Sequence, residues 1–143
     1  YFDELFRVSK NQIIFGMQYF VNYLTPHQCV LIWEKMNGTS RFSDFEIAWT
    51  SFNTATRMLN KWVESVGRIH PTQKPIGVYQ WIFKQFTKPG NKILDTHLGS
   101  GNSRIAADIH GLNFTGYEIN EKYMADHIKK WNDYKSQIQI DYA

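Results

Sequence analysis

The chain has 143 residues, of which 43% are hydrophobic and 16% aromatic, and its formal net charge is +3 at pH 7. That length suits one domain, and the apolar fraction is enough for a buried core, which excludes general disorder. No apolar run is long enough to cross a bilayer as a helix. The single cysteine, Cys29, excludes an intrachain disulfide and suits a reducing cytoplasm.

The charge is uneven. Residues 57–92 carry seven basic and one acidic side chain, a net of +6, against −1 for residues 1–56 and −2 for residues 93–143. A basic middle either faces a polyanion such as nucleic acid or forms a solvated helix face.

In chain order, "YFDELFRVS" places Phe2, Leu5 and Phe6 at helical spacing with no capping residue before them, and a chain that starts inside a larger protein is expected. Residues 12–17 (QIIFGM) read as a buried strand and residues 23–28 as a connection. Residues 29–35 (CVLIWEK) read as a second strand, with Cys29 a core thiol. Asn37-Gly38 signals a turn, and residues 45–52 alternate as a third strand, a hairpin partner of the second. Residues 53–69 are mixed, and no element is predicted there. Pro75 stands near the start of a helix carrying Val78, Tyr79, Ile82, Phe83 and Phe86 at helical spacing. After the turn "KPGNK" come a strand over 92–96 and a helix over 101–110, with Ile105, Ala106 and Ile109 inward and Gly111 as its stop. A strand over 114–119 and a long helix over 121–138 follow, the latter with Met124, His127, Ile128, Trp131 and Ile138 on one face. The alternation of the second half predicts an α/β layered fold with parallel strands; the hairpin of the first half adds antiparallel ones.

The stretch "DTHLGSG" (95–101) sits between a strand and a helix, where open α/β sheets bind ligands. Glycines let the backbone approach a ligand without Cβ clashes. Glu118, at the end of the next strand, can accept two hydrogen bonds from a ribose diol. The dinucleotide pattern G-x-G-x-x-G fails at its third glycine, which is Arg104. Asp95 just before the loop suits a cationic cofactor, such as S-adenosylmethionine, better than a pyrophosphate. A nicotinamide-dependent oxidoreductase stays open as the alternative. The five histidines, His27, His70, His97, His110 and His127, show no ligand-like clustering with Cys29, so no metal site is expected.

Upstream lies "HPTQKP" (70–75). This segment, followed by a helix, a strand ending in Asp95, the loop "DTHLGSGNS" and the strand end "GYEIN", resembles the prokaryotic and phage DNA methyltransferases that modify adenine N6 or cytosine N4. The resemblance covers residues 69–130, and more loosely 1–52. It implies a Rossmann-like, S-adenosylmethionine-dependent methyltransferase fold with a mixed sheet and an antiparallel hairpin. It implies that Asp95 and Glu118 contact the amino-acid part and the ribose of S-adenosylmethionine. Gly99, Ser100 and Gly101 would shape the loop around the cofactor, and Thr72, Gln73 and Lys74 would reach its carboxylate end. His70 would make a structural hydrogen bond before Pro71. Thr96 and His97 depart from the Pro and Phe common in the family, and His97 would place a polar ring in the methionine pocket.

Members of the family carry a catalytic Asp/Asn/Ser-Pro-Pro-aromatic motif. The four prolines here are Pro26, Pro71, Pro75 and Pro89, so no two adjoin, and this chain holds no catalytic residue of that kind. The order of the remaining motifs matches the permuted (beta-type) class, in which the catalytic half comes first. The expectation is an N-terminally truncated single domain over 1–143, inactive alone. In the family sheet the catalytic strand lies between the strands at 92–96 and 12–17, so those two should be left unpaired here. The short segment 53–69 would be the target-recognition element, with Arg57, Lys61 and Arg68 on double-stranded DNA and Trp62 in packing. Adenine is the expected target base, and a non-catalytic cofactor- or DNA-binding remnant is a further alternative.

Overall fold

The computed structural model describes residues 1–38, 43–61 and 68–141, with backbone only for 138–141. It divides into two units, Tyr1–Val63 and Glu64–Ala143.

The first unit opens with α1 (Phe2–Val8), which has no side-chain cap. Ring contacts organise it: Phe2 stacks on Tyr23, and Phe6 meets Trp49 edge-on. Then come β1 (Ile13–Phe15), two 3-10 turns over 17–23, β2 (Val30–Glu34), β3 (Phe45–Thr50) and β4 (Arg57–Asn60). The strands form one mixed sheet in the order β1-β3-β2-β4. The predicted hairpin is present: β2 and β3 pair antiparallel, with Leu31 opposite Ala48 and Trp33 opposite Glu46. The loop residues 39–42 lie outside the described residues. β2 buries Leu31 and Trp33 in alternation, as a strand with one core face does. β3 lies between β1 and β2 and buries Ala48, Trp49 and Thr50 in succession.

The predicted strand over 12–17 is shorter because Gly16, at φ 75, turns the chain into a 3-10 turn. The first-unit strand that was not predicted is β4, which pairs parallel with β2, Leu31 opposite Arg57 through Glu34 opposite Asn60. Its residues are mostly exposed, so they carry no apolar pattern; the ladder alone makes them a strand.

The second unit runs α2 (Ile76–Phe86), β5 (Lys92–Asp95), α3 (Asn102–Ile109), β6 (Asn113–Gly116) and α4 (Glu121–Asp141). β5 and β6 pair in parallel, Asp95 opposite Gly116, with α3 as the crossover. α2 packs on α3. Val78, Ile82 and Phe83 of α2 and Ile105, Ala106 and Ala107 of α3 are buried. Each large apolar side chain so buried contributes about 1.5–3 kcal/mol. One inward assignment is corrected: Ile109 is about half exposed, as is Ile128 on the apolar face of α4. Ile109 sits in the last turn of α3, just before the chain reverses at Gly111 (φ 64), beyond the part of the helix that packs.

Among the described residues, the ladder of β1 is with β3 alone, and that of β5 is with β6 alone. Each of these two strands therefore ends its own sheet.

Candidate functional site: the glycine loop and its clamps

β5 ends at Asp95, and the chain turns through 96–101 into α3. Asp95 fixes both ends of this turn. One carboxylate oxygen accepts the His97 N–H at 3.0 Å, and the other accepts the Ser103 hydroxyl at 2.6 Å. Leu98 N–H donates to the Tyr117 carbonyl at 2.9 Å, tying the loop to the chain that leaves β6.

Glu118 lies two residues beyond the end of β6, not at a strand end as the sequence suggested. The last bond of the β5–β6 ladder is the Tyr117 N–H to the Asp95 carbonyl at 2.9 Å, and the Tyr117 carbonyl then takes the loop N–H of Leu98. From there Glu118 grips the loop from the side. One oxygen accepts the Gly99 N–H at 2.9 Å, and the other accepts the Asn120 N–H at 2.8 Å. The Asn120 N–H foremost, then those of Gly99 and Ile119 together with the nearby His70, hold the Glu118 carboxyl below its ordinary range, although partial burial opposes them. With about four lone-pair sites and three N–H donors, the carboxylate keeps acceptor capacity for a further donor.

Two glycines of the loop are required by conformation, and Gly101 by space as well. Gly99 has φ 53, and a Cβ there would stand 3.4 Å from the His70 ring. Gly101, the N-cap of α3, has φ 73, and a Cβ there would fall 2.0 Å from His127 Cδ2. His127 is buried, and burial first, then the positive Arg104 and Lys130, push its pKa down, so it is neutral. Its Nε2 lies 3.4 Å from an Arg104 Nη1 donor, which puts its proton on Nδ1, and Nδ1 has no partner among the described residues. Arg104 in turn lies over the Trp131 ring at 3.8 Å.

The "HPTQKP" segment forms a turn against this loop. His70 Nδ1 accepts the Thr72 N–H at 3.3 Å and lies 3.1 Å from the Thr72 hydroxyl, while its ring meets Tyr123 edge-on at 4.4 Å. His70 thus makes the structural bond read from the sequence. Gln73 is buried; its side-chain oxygen accepts the Ile69 N–H at 3.0 Å, and its own N–H donates to the His70 carbonyl at 3.1 Å. That leaves the Gln73 NH2, a donor, for a ligand. The Lys74 carbonyl accepts the Asn102 side-chain amide at 2.7 Å.

Asp95, Gly99, Ser100, Gly101 and Glu118 are therefore gathered around one loop, with Ser100 buried and His97 exposed beside Thr96. Arg57, Lys61 and Arg68 are all exposed; the Arg68 guanidinium bonds the Pro71 carbonyl. Trp62 lies outside the described residues. Sequence reasoning missed Asn102, Lys130 and Ile119. Ile119 is 99% exposed beside Glu118, an apolar side chain with no core to enter. Asn102 stood in plain view as an amide opening a helix whose other inward residues are mostly apolar.

Residues 25–130 match the family model described as DNA methylase, the N6/N4 methyltransferases. A type II methyltransferase from Lactococcus lactis subsp. cremoris, M2.LlaDCHI, is 27% identical over 77% of this chain and 44% of its own length. M2.DpnII from Streptococcus pneumoniae is 31% identical over 64% of this chain and 31% of its own. The chain thus spans less than half the length of these curated relatives. Among solved structures, the M1.HpyAVI–SAM complex superposes with a TM-score of 0.70 at 22% identity, covering 85% of this chain and 74% of that one. TTHA0409 from Thermus thermophilus, complexed with S-adenosyl-L-methionine, gives 0.60 at 13% identity, over 90% and 75%. The fold is that of these methyltransferases, and with its family model matched across both units the chain belongs to the N6/N4 DNA methylase family.

Proposed function

We propose that this chain is the cofactor-binding part of a DNA amino-methyltransferase that uses S-adenosylmethionine. The observation that carries the reading is the clamp of Glu118 on Gly99, at the carboxyl end of a parallel strand and beside the exposed Ile119. The residues present fit the cofactor. Glu118 retains acceptor capacity for a ribose diol, and Ile119 offers an apolar face for a purine. Asp95 is an anion for the ammonium or sulfonium, and Lys74, Thr72 and the Gln73 NH2 supply charge and donors for the carboxylate. Gly99, Ser100 and Gly101 permit close backbone approach, and His97 lines the exposed side of the loop. When bound, the cofactor's sulfonium supplies an activated methyl group. The chain's own residues hold and orient it, and no residue of 1–143 is assigned to the transfer itself.

The substrate in this reading is double-stranded DNA in a bacterial cytoplasm, bacterial or phage-borne, with adenine N6 as the target. Arg57, Lys61 and Arg68 are its phosphate contacts, and the segment 53–69 is the recognition element. A base reached by flipping must be held by an aromatic and polar motif, which this chain lacks; we place both units in one methyltransferase domain that is inactive without that motif. Among the described residues, no helix is long and apolar enough to cross a membrane.

The test is to incubate the complete protein with methyl-labelled S-adenosylmethionine and duplex DNA, then digest to nucleosides. Labelled N6-methyladenine is expected. Labelled N4-methylcytosine would overturn the choice of base, and no label with retained S-adenosylhomocysteine binding would identify a non-catalytic remnant. The 143-residue chain alone is expected to give no product.

A further inference from the structure

Asn102 is 1% exposed, and both ends of its amide are engaged. Its nitrogen donates to the Lys74 carbonyl at 2.7 Å, and its oxygen accepts the Lys130 ammonium from α4. The Lys74 carbonyl has a particular need of such a donor. Lys74 precedes Pro75, the N-cap of α2, and the first turn of that helix bonds the Pro75 carbonyl, to Val78 N–H at 3.0 Å. The carbonyl of Lys74 therefore stands outside the α2 ladder, and in this part-buried place it takes its partner from the start of α3. The turn that leads into Lys74 is held by the Gln73 N–H on the His70 carbonyl at 3.1 Å.

We infer that Asn102 is a positioning residue, which sets the direction of Lys74 toward the carboxylate of the cofactor by holding the Lys74–Pro75 peptide plane. The peptide is planar, so fixing its carbonyl fixes the plane on one side of the Lys74 Cα. With the preceding turn also held, the Cα–Cβ bond of Lys74 leaves in one direction. Lys130 orients the amide from the far side: it takes the oxygen, so the nitrogen must face Lys74. Asn102 thereby joins three elements, the "HPTQKP" turn, the start of α3 and α4, at the residue that follows the glycine loop. This inference rests on the reading that Lys74 meets the cofactor's carboxylate.

The experiment compares two ligands by calorimetric titration of the complete protein. S-adenosylhomocysteine carries the amino-acid head; 5'-methylthioadenosine has the same nucleoside thioether without it. Wild-type protein is expected to prefer the former by about tenfold or more. In Asn102→Ala the affinity for S-adenosylhomocysteine is expected to fall about tenfold, with methylthioadenosine held within about twofold. Lys130→Met, which leaves the buried amide in place, should show the same head-selective loss at about threefold, and it carries the comparison if Asn102→Ala does not fold. Equal losses for both ligands would make Asn102 a mere support of the loop and overturn the inference, as would no loss for either. A wild type without head-group preference would instead sink the Lys74 reading, and the inference with it.

Discussion

The two units use side-chain hydrogen bonds for different ends. In the first, these bonds tie strands and their connections together. The Trp33 indole N–H reaches the Lys61 carbonyl at 2.9 Å, that of Trp49 reaches the Thr25 carbonyl at 2.7 Å, and the Thr50 hydroxyl reaches the Cys29 carbonyl at 2.9 Å. All three donors sit on the sheet and serve the backbone around it. In the second, Asp95, Glu118, Asn102, Gln73 and His70 bond to two loops, and among the described residues the ladder beneath them is a two-stranded sheet. One unit uses polar side chains to finish a scaffold; the other uses them to hold loop backbone in a fixed shape. Precision at the loops is where a ligand would be read.

The largest expected effect breaks the scaffold. Trp33 is 2% exposed, so Trp33→Ala should cost about 3–5 kcal/mol in urea unfolding. If the two regions have separate tasks, the folded fraction of this variant binds S-adenosylhomocysteine within about twofold of wild type. A parallel loss of affinity would show that the sheet also tunes the loop.

A pair of glycines sharpens the contrast. Gly38 and Gly101 have similar backbones, φ 62 and 73, but a Cβ at Gly38 meets nothing within 4 Å, whereas one at Gly101 would fall 2.0 Å from His127. Gly38→Ala should cost only the left-handed strain, about 1–2 kcal/mol. Gly101→Ala adds overpacking, for about 3 kcal/mol or more in total, and should abolish cofactor binding. Equal costs in chemical unfolding would mean that His127 yields freely.

The smallest effect is in pH. His127 is held neutral, with its folded pKa below the ordinary value of 6.5. Above that value both folded and unfolded forms are neutral, and stability is full. As pH falls below it, the unfolded chain takes up the proton first, so stability declines until the folded pKa is passed. His127→Leu, similar in size and without the unpartnered Nδ1, should flatten thermal stability over this range. Glu118 acts in a separate, more acid window. Its folded pKa is lowered from 4.5, so its contribution is present above that value and is lost as pH falls through the folded pKa. Glu118→Gln should remove the acid step and leave the His127 step intact; a single merged transition in wild type and both variants would argue against two independent groups.

Much of this was legible in the chain. The hairpin was marked by Asn37-Gly38 between two apolar runs, and β5, α3 and β6 by short apolar stretches broken at Gly90 and Gly111. β4 was not, because an edge strand exposed at Arg57, Met58 and Asn60 has no face to pattern. The glycine loop and the carboxylates Asp95 and Glu118 were found from spacing. Their double engagement of loop N–H groups was not, since a carboxylate's acceptor role shows no preference for ligand or backbone until the loop closes on it.

The sequence by itself determined most of the element types, the antiparallel hairpin of the first half, the parallel pair of the second and the residues that gather at the loop, because periodicity and glycine placement are local properties; it did not show the parallel edge strand β4. Only the tertiary structure decided that His127 fills the space beside Gly101, that Asn102 bridges Lys74 to Lys130, and that Ile119 stands exposed beside Glu118. Those facts join residues up to 28 positions apart. The satisfaction of a buried donor or acceptor depends on which partner the packed chain brings within reach, and no window of sequence contains that answer.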